Sequence, residues 1–268
     1  MQVSEWLDLD LYEKADALAL EYYNVKSDVR FLIDKLVGRY AFLKWNADLK
    51  NRHRDQRAFV LGNAPSLREH DLLPLRNELV FMVNRSFQHS DYASVAPAYH
   101  VIVDPKLETG QWPIAYLDEI LEKNPKVTLL LNANWFHLPK FQSYKRRVPI
   151  YWLKTRNVSL LRPRKFRMDL TRRPTSYFVV EQAITSAIYM GVGQIYLLGY
   201  EGNGVGYWMT QGNSHFNGSD PDYAEASAFD LARAMQYNAR FLRVMYVLTE
   251  NCRRSGVRLC NLTPRGVI

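Results

Sequence analysis

The stretch AFVLGNAPSLRE (residues 58–69) decides the fold. It joins a continuous apolar run to a turn that begins at Gly62 and contains Asn63. Short, uninterrupted apolar runs are typical of strands that are buried on both faces, as in parallel sheets. The stretch therefore predicts a central strand that ends at a tight turn.

The residues after this turn predict a helix start. Ser66 and Glu69 have capping-box spacing, so we expect a helix that begins at Leu67. Peptide N–H groups at a helix start favour phosphate, which makes the turn a candidate anion site. The stretch contains one glycine and no following GK[ST], so it is neither a dinucleotide fingerprint nor a Walker A loop.

Six further apolar runs follow along the chain: LVFMVN (79–84), HVIVD (100–104), VTLLLN (127–132), PIYWL (149–153), QIYLLG (194–199) and VRLCN (257–261). Helical patterns stand between several of them, at residues 113–124, 181–191 and 223–256. Runs that alternate with helices predict an α/β fold with a Rossmann-like, mostly parallel open sheet and flanking helices. In the last helix, one face is assigned to Phe229, Ala232, Met235, Ala239, Leu242 and Tyr246.

The pattern predicts an N-terminal helical extension, residues 1–57, followed by a Rossmann-like domain, residues 58–268. Apolar residues of the extension recur at helical spacing, namely Leu7, Leu11, Ala15, Leu18 and Tyr22, then Val29, Leu32, Ile33, Leu36 and Tyr40. Six glycines cluster just after the sixth run. They predict a lid at about residues 200–222.

Composition narrows the class of protein. The 268 residues are 47% hydrophobic, which suits a globular chain and excludes wholesale disorder. No apolar run approaches the roughly 18 residues of a membrane span, and the acidic start is unlike a secretory signal. Cys252 and Cys260 form no disulfide framework and are expected to be reduced thiols. We expect a cytoplasmic protein, with peripheral contact to the inner face of the membrane as an extension of that expectation.

One segment makes the chain basic. Residues 140–175 hold twelve Lys and Arg residues against the single acid Asp169, whereas the whole chain carries a net charge of +8. Such a segment attracts phosphates, nucleic acid or an anionic membrane surface, and a solvated basic face is the alternative. No helix-turn-helix, zinc-ligand or RNP-like pattern accompanies the charge, so nucleic acid is not expected.

Polar residues follow the predicted strands at their carboxyl ends, where ligands bind in open α/β sheets. Amides dominate this set, which consists of Gly62 with Asn63, Asn84 with Arg85, Asp104, Asn132 with Asn134, Gly199 with Tyr200, and Asn261. An amide offers a donor and an acceptor to a base, a ribose or a sugar hydroxyl. The alternative is that each of these residues caps a helix or shapes a turn.

The predicted lid carries a candidate base. His215 stands in a polar, glycine-rich context with Ser214 and Tyr207, which favours general-base chemistry near neutral pH over a place in the core. A plain loop hydrogen bond is the alternative. The acidic pairs Asp8/Asp10 and Asp220/Asp222 match a metal-binding DxD pattern, but both stand at predicted helix starts, where acids are ordinary. No metal and no cofactor is predicted.

The segments GNAPSL, VNRSF, VDPKLETGQ, MGVGQIYLLGY and NSHF together resemble bacterial sialyltransferase family 42. The same scaffold occurs in flagellin-modifying accessory glycosyltransferases and in archaeal hydroxymethylpterin pyrophosphokinase-like proteins. The resemblance spans residues 58–265. It implies a CMP-activated sugar as donor and a glycan or glycolipid as acceptor, with His215 as general base and Tyr200 and Tyr207 as donors to the departing phosphate.

The resemblance and the strand-end positions together assign the remaining site residues. Nucleotide binding falls to Gly62, Asn63, Ser66, Asn84, Arg85, Gly199 and Asn261, and substrate binding falls to Asp104, Asn132, Asn134 and Ser214. Asp104 departs from the family, which has Asn there. The family's Arg-x-Thr-Ser-Gly loop corresponds to residues 176–180, without its glycine. These departures favour a related ulosonic acid, such as Kdo or a legionaminic or pseudaminic type, over sialic acid itself.

Three alternatives stay open at this point. They are a pyrophosphokinase-like enzyme, a transferase that uses a nucleotide diphosphate sugar, and a non-catalytic glycan-binding protein on the same scaffold. The resemblance also implies a homo-oligomer, and the basic segment implies an anionic membrane surface as a further partner.

Overall fold

The computed structural model describes residues 11–161, 166–202, 204, 206, 215–218 and 227–264. Its seven strands are β1 (Arg57–Leu61), β2 (Leu79–Val83), β3 (Tyr99–Ile102), β4 (Thr128–Asn132), β5 (Ile150–Leu153), β6 (Gln194–Leu198) and β7 (Arg258–Asn261). They form one sheet in the order β5-β4-β3-β2-β1-β6-β7. Every predicted strand is therefore confirmed, with ends that differ by at most two residues.

All six strand pairings are parallel. Val60 of β1 pairs with Phe81 of β2 on one side and with Leu197 of β6 on the other. All five residues of β2 are buried, because helices and loops cover both faces of the sheet. The predicted α/β open sheet is confirmed.

The strand order reverses between β1 and β6. From β1 the chain builds outward through β2, β3, β4 and β5, then returns to place β6 and β7 on the opposite side of β1. In open α/β sheets the connections diverge at such a reversal and leave a crevice beyond the carboxyl ends of the strands. The topology therefore puts a ligand crevice above β1, β2 and β6.

Among the described residues, six α-helices accompany the sheet, namely α1 (Leu11–Leu36), α2 (Tyr92–Val95), α3 (Pro105–Thr109), α4 (Ala115–Lys123), α5 (Val179–Tyr189) and α6 (Ala228–Arg254). Short 3-10 turns occupy Ala41–Leu49, Pro65–Glu69, Leu73–Leu75, Asn84–Gln88, Ala133–Trp135, Pro139–Phe141 and Tyr144–Arg146. The three helices predicted between the apolar runs correspond to α4, α5 and α6. Within the described ranges, none of the helices is both long and apolar enough to span a bilayer.

The described part of the N-terminal extension is helical, as predicted, and it packs on the sheet domain. Leu49 lies in the core beside β1 and β6, completely buried. The buried Asn46 amide donates to the carbonyl groups of Trp152 (2.8 Å) and Leu170 (2.7 Å), which ties the extension to β5. The apolar residues of α1 that recur at helical spacing are mostly exposed, as Leu18 and Leu32 illustrate.

The predicted apolar face of α6 is wrong. Phe229, Met235 and Tyr246 are exposed, whereas Val244 and Leu248 belong to the buried face. The helix is apolar over much of its circumference, so residue spacing alone does not select the face that packs. Gly256 follows α6 in the left-handed region, with φ +72°, and agrees with the predicted stop.

Most of the described basic residues of the segment 140–175 bond within the protein. Arg156 and Arg173 are buried and pair with Asp28 of α1, at 2.9 and 2.7 Å. Arg147 pairs with Asp118. Lys145, Lys140 and Lys154 donate to protein oxygen atoms. Arg162, Arg164 and Lys165 lie outside the described residues.

Candidate functional site

Two glycines bring β1 and β6 together at the reversal. The N–H groups of Gly62 and Ala64 donate to the carbonyl groups of Leu198 and Gly199, at 2.8 and 2.9 Å. A Cβ atom on Gly62 would overlap the Gly199 carbonyl, and a Cβ atom on Gly199 would stand 2.9 Å from the Leu67 Cβ. Gly199 also has φ +61°, a region that side chains with a Cβ rarely adopt. The turns after β1 and β6 therefore interlock through hydrogen bonds and close backbone contact.

A cavity of about 510 Å³ opens beside these turns. Five residues that the sequence assigned to the site line it, namely Asn63, Asn84, Gly199, Tyr200 and His215. They follow β1, β2 and β6 or belong to the segment after β6. The structure thus brings together the residues on either side of the strand-order reversal, as the open-sheet rule requires.

Asn84 is held in an unusual conformation at the cavity. Its φ is +47°, and its carbonyl oxygen lies 2.8 Å from Nε2 of His100. Nδ1 of that ring lies 3.1 Å from the hydroxyl of Tyr92. Burial lowers the pKa of His100 to about 4, so the ring is neutral and one tautomer donates to Asn84 while it accepts from Tyr92. His100 therefore positions Asn84 from beneath.

His215 is fixed by the two residues that follow it. Phe216 is buried in the core, and its N–H donates to the Asn63 carbonyl oxygen at 2.9 Å. The amide of Asn217 donates to Gln88 at 2.6 Å. The segment therefore binds to the turns after β1 and β2, and the imidazole lines the same cavity as their amides.

Tyr200 lines the cavity, but its hydroxyl is used elsewhere. The side chain is buried between Phe241 and the core, and its hydroxyl donates to Sδ of Met245 at 3.3 Å. Burial raises the pKa of Tyr200 well above its ordinary value, so the phenol keeps its proton. The hydroxyl that the resemblance assigned to a departing phosphate is directed at a sulfur atom in this structure.

The expected anion site in the first turn is not formed. The residues fold into a 3-10 turn that begins at Pro65, with Ala64 rather than Ser66 as its N-cap, and the buried Ser66 hydroxyl has no hydrogen-bond partner among the described residues. The Ser66 N–H donates to the buried Glu201 carboxyl group at 2.8 Å. The Leu67 N–H bonds to Ala64. The N–H groups of Ser66 and Leu67 are thus bonded within the protein. The predicted capping box is wrong, and these two N–H groups are not available to a phosphate.

The other assigned residues lie off the cavity lining. Gly62 and Ser66 support the turn described above, and Arg85 Nη2 lies 3.5 Å from Gln88. Asn261 donates to the Tyr200 carbonyl oxygen at 3.0 Å and supports that residue from β7.

The three candidates after β3 and β4 serve local structure. Asp104 caps α3 through the Lys106 N–H, and Asn132 caps the next turn through the N–H of Asn134. Oδ1 of the Asn134 side chain accepts from the Tyr40 hydroxyl (3.0 Å) and from Lys154 (2.7 Å). Asp104 and Asn132 therefore cap turns, the alternative that the sequence left open. They do not reach the cavity, because β3 and β4 lie on the far side of β2 from the strand-order reversal. Tyr207, Ser214, Asp220 and Asp222 lie outside the described residues.

Helices α5 and α6 supply cavity residues that the sequence did not single out. From the start of α5 come Phe178, Val179 and Val180; from α6 come Asp230, Arg233, Ala234, Tyr237, Asn238 and Phe241. The α6 residues recur every three or four positions, which is the spacing of one helix face. That spacing was the available signal, but these residues lie on nearly the opposite side of the helix from the apolar face chosen from the sequence.

A buried acid stands behind this wall. Glu181 is almost fully buried in the first turn of α5, and it accepts from the N–H groups of Tyr177 (2.7 Å) and Phe178 (3.1 Å). Burial raises the pKa of Glu181 to about 7, although the two N–H groups oppose this shift. Among the described residues, no three His, Cys, Asp or Glu side chains gather as metal ligands.

The fold and the cavity define an open α/β protein with a cavity at the strand-order reversal. Neither a protein-family model nor a curated protein sequence matches this chain.

Solved sialyltransferases are similar in structure. CstII from Campylobacter jejuni in complex with the substrate analogue cytidine-5'-monophosphate is 13% identical, with 80% of this chain and 82% of that chain covered and a TM-score of 0.44. CST-II with a trisaccharide acceptor and CMP is 16% identical, with coverage of 79% and 83% and a TM-score of 0.42. With TM-scores below 0.5, the activity of this chain has to be argued from its own residues.

Proposed function

We propose that this chain is an inverting glycosyltransferase. It moves a sialic-acid-like ulosonic acid from a CMP-activated donor to a glycan hydroxyl, without a metal ion, and His215 is the general base. One observation carries the proposal: Asn63, Asn84 and His215 line a single cavity at the strand-order reversal. Two amides and an imidazole there can serve a nucleotide and a reacting hydroxyl at the same time.

The amides suit a nucleoside. Oδ1 of Asn63 and Oδ1 of Asn84 are buried and accept no hydrogen bond from the part of the chain that the structure describes. Buried acceptors without donors are costly, so a ligand that supplies N–H or O–H groups is favoured. The amino group of cytosine and the ribose hydroxyls are such donors. Phe178, Tyr237 and Phe241 add an aromatic wall for the base and the sugar.

His215 suits the chemical step. The acceptor hydroxyl gives its proton to the imidazole, its oxygen bonds to the anomeric carbon, and the bond from that carbon to the phosphate oxygen breaks, so CMP leaves with the electron pair. Attack opposite the leaving group inverts the anomeric centre. General-base catalysis contributes about 10²–10⁴-fold. The hydrogen bond from the Phe216 N–H to the Asn63 carbonyl oxygen keeps the imidazole near the amides of Asn63 and Asn84. This reduces the entropy lost when the imidazole is oriented for the reaction.

The anionic groups of the donor need a cation. Because Glu201 bonds to the Ser66 N–H, the first turn does not provide the phosphate site. Arg233 of α6 lines the cavity. We assign the donor's phosphate or carboxylate to its guanidinium group, since Arg binds both anions through paired hydrogen bonds.

Ligand binding provides the first test. Thermal unfolding is measured with CMP, UDP, GDP and ATP, each with Mg²⁺ and with a chelator. A ligand that binds the native state raises the midpoint. We expect a shift with CMP that does not depend on Mg²⁺ and that Asn84→Ala reduces. A shift with UDP or ATP alone, dependent on Mg²⁺, would instead indicate a nucleotide diphosphate sugar transferase or a pyrophosphokinase-like enzyme.

Transfer provides the second test. CMP release from CMP-activated ulosonic acids is followed with a panel of glycan acceptors. His215→Ala should lower kcat by about 10²–10⁴-fold and leave CMP binding unchanged. The matched control is His137→Ala, because His137 is exposed and contacts the Arg39 carbonyl group away from the cavity. Equal kcat values for the two variants would refute the assigned base.

A further inference from the structure

Helix α1 presents an unpartnered apolar surface, here called its outer face. Nine of its large apolar side chains, or those just after its end, are more than half exposed, namely Leu18, Tyr22, Tyr23, Val25, Val29, Leu32, Ile33, Leu36 and Val37. Contiguous exposed apolar surface of this extent marks an interaction site in a globular protein. Something apolar is therefore expected to cover the outer face.

The outer face is broader than a two-helix seam. Leu18, Tyr22, Val25, Val29, Leu32 and Leu36 alternate every third and fourth residue, as a seam does, and Ile33 and Tyr23 extend the face to about half of the helix circumference. A face this wide, with two tyrosines, fits the boundary between lipid headgroups and acyl chains.

The charges of α1 are sorted by sign. All of its described acidic residues turn to arginines of the same chain, in the pairs Glu13–Arg243, Asp16–Arg240, Glu21–Arg156, Asp28–Arg173 and Asp34–Arg39. The exposed charged residues beside the outer face are Lys26, Arg30 and Lys35, and all three are basic. Two copies that pair through this face would bring cations together, whereas anionic headgroups would complement them.

We propose that the outer face of α1 docks on an anionic lipid surface. The apolar residues enter the headgroup boundary, and Lys26, Arg30 and Lys35 contact lipid phosphates. The basic segment at residues 140–175 supports this surface indirectly, because Arg156 and Arg173 hold α1 in place from the inside.

The docked surface connects to the cavity through α6. Arg240 and Arg243 of α6 bind Asp16 and Glu13 of α1. The first half of the same helix contributes Arg233 to the cavity wall. Helix α6 therefore fixes the position of the lipid-facing helix relative to the cavity, which suits an acceptor that is held at a membrane.

The test is flotation of the full chain with vesicles of phosphatidylcholine, alone or mixed with phosphatidylglycerol. We expect flotation with the anionic vesicles, weakened by salt and absent with phosphatidylcholine alone. Leu32→Asp should reduce partitioning about tenfold or more. The matched control is Leu73→Asp, because Leu73 is an exposed leucine on a short turn outside the outer face. It should float like the native chain.

Charge reversal and solution mass complete the test. Lys26→Glu should weaken flotation with anionic vesicles, and thermal unfolding checks that each variant is folded. Three outcomes would overturn the proposal: no flotation with anionic vesicles, equal flotation of Leu32→Asp and Leu73→Asp, or a native dimer in light scattering that Leu32→Asp converts to monomer. The last result would assign the outer face to a second copy of this chain. Because flotation needs no donor or acceptor, its outcome is separate from that of the transfer assay.

Discussion

Replacing Gly199 by alanine tests the interlocked turns on which the site is built. The substitution adds a Cβ atom to a residue with φ +61°, 2.9 Å from the Leu67 Cβ and 3.1 Å from its Cδ1. Left-handed backbone costs an alanine about 1–2 kcal/mol. Overlap with packed atoms costs about 1–3 kcal/mol more. Gly199→Ala should therefore lower the free energy of unfolding by about 2–5 kcal/mol.

Two other glycines separate these contributions. Gly256 has φ +72° with no atom within 4 Å of an added Cβ, so Gly256→Ala should show the backbone cost alone, about 1–2 kcal/mol. Gly193 lies outside the left-handed region and has the same open space, so Gly193→Ala should stay within about 0.5 kcal/mol of the native chain.

Urea unfolding followed by tryptophan fluorescence measures the three variants, and equal slopes show that the unfolded states are comparable. The expected order of loss is Gly199→Ala, then Gly256→Ala, then Gly193→Ala. If Gly199→Ala costs no more than Gly256→Ala, the contact with Leu67 is not tight. If it equals Gly193→Ala, the interlock itself is refuted.

The remaining predictions concern docking of the extension and buried ionisable groups. Asn46→Ala leaves two buried carbonyl groups without their donor, so urea unfolding should show a loss of about 2–4 kcal/mol. Asp28→Ala leaves the buried Arg173 without its carboxylate and should cost about 3 kcal/mol in the same assay. The pKa of Glu181 is about 7 in the folded chain against 4.5 ordinarily, so ionisation lowers stability as pH rises through that range, and Glu181→Gln should remove this slope. The pKa of His100 is about 4 against 6.5, so stability falls as pH drops through that range, and His100→Gln should flatten the fall; parallel pH curves for variant and native chain would contradict either assignment.

The strands could be predicted because their pattern is local. A parallel sheet that is covered on both faces needs continuous apolar runs, and each of the seven runs corresponds to one strand. Strand order is not local, so the chain after β3 and after β4 looked as suitable for a site as the chain after β1. Only the reversal between β1 and β6 decides between them. That is why Asn63 and Asn84 reach the cavity, whereas Asp104 and Asn132 cap the turns that follow their strands.

The helices show a second limit of sequence patterns. Spacing predicted α1 and α6 as helices but not the direction in which each faces. In α6 the first half turns polar residues such as Asp230 and Arg233 towards a cavity, so apolar spacing selected the wrong side. In α1 the partners of the inner face are arginines far along the chain, such as Arg240, and no local pattern contains them.

The positions of Glu201 and Arg233 link these features. The Glu201 carboxyl group accepts from the Ser66 N–H, and the proposed function therefore assigns the donor's anion to Arg233, which lines the cavity from α6. The position of α6 in turn depends on its arginines, which bind the acids of α1. A chain that lost the docking of α1 would therefore keep its sheet and its amides but lose the alignment of the cationic wall. It follows that the N-terminal extension is part of the cavity's framework, although none of its described residues lines the cavity.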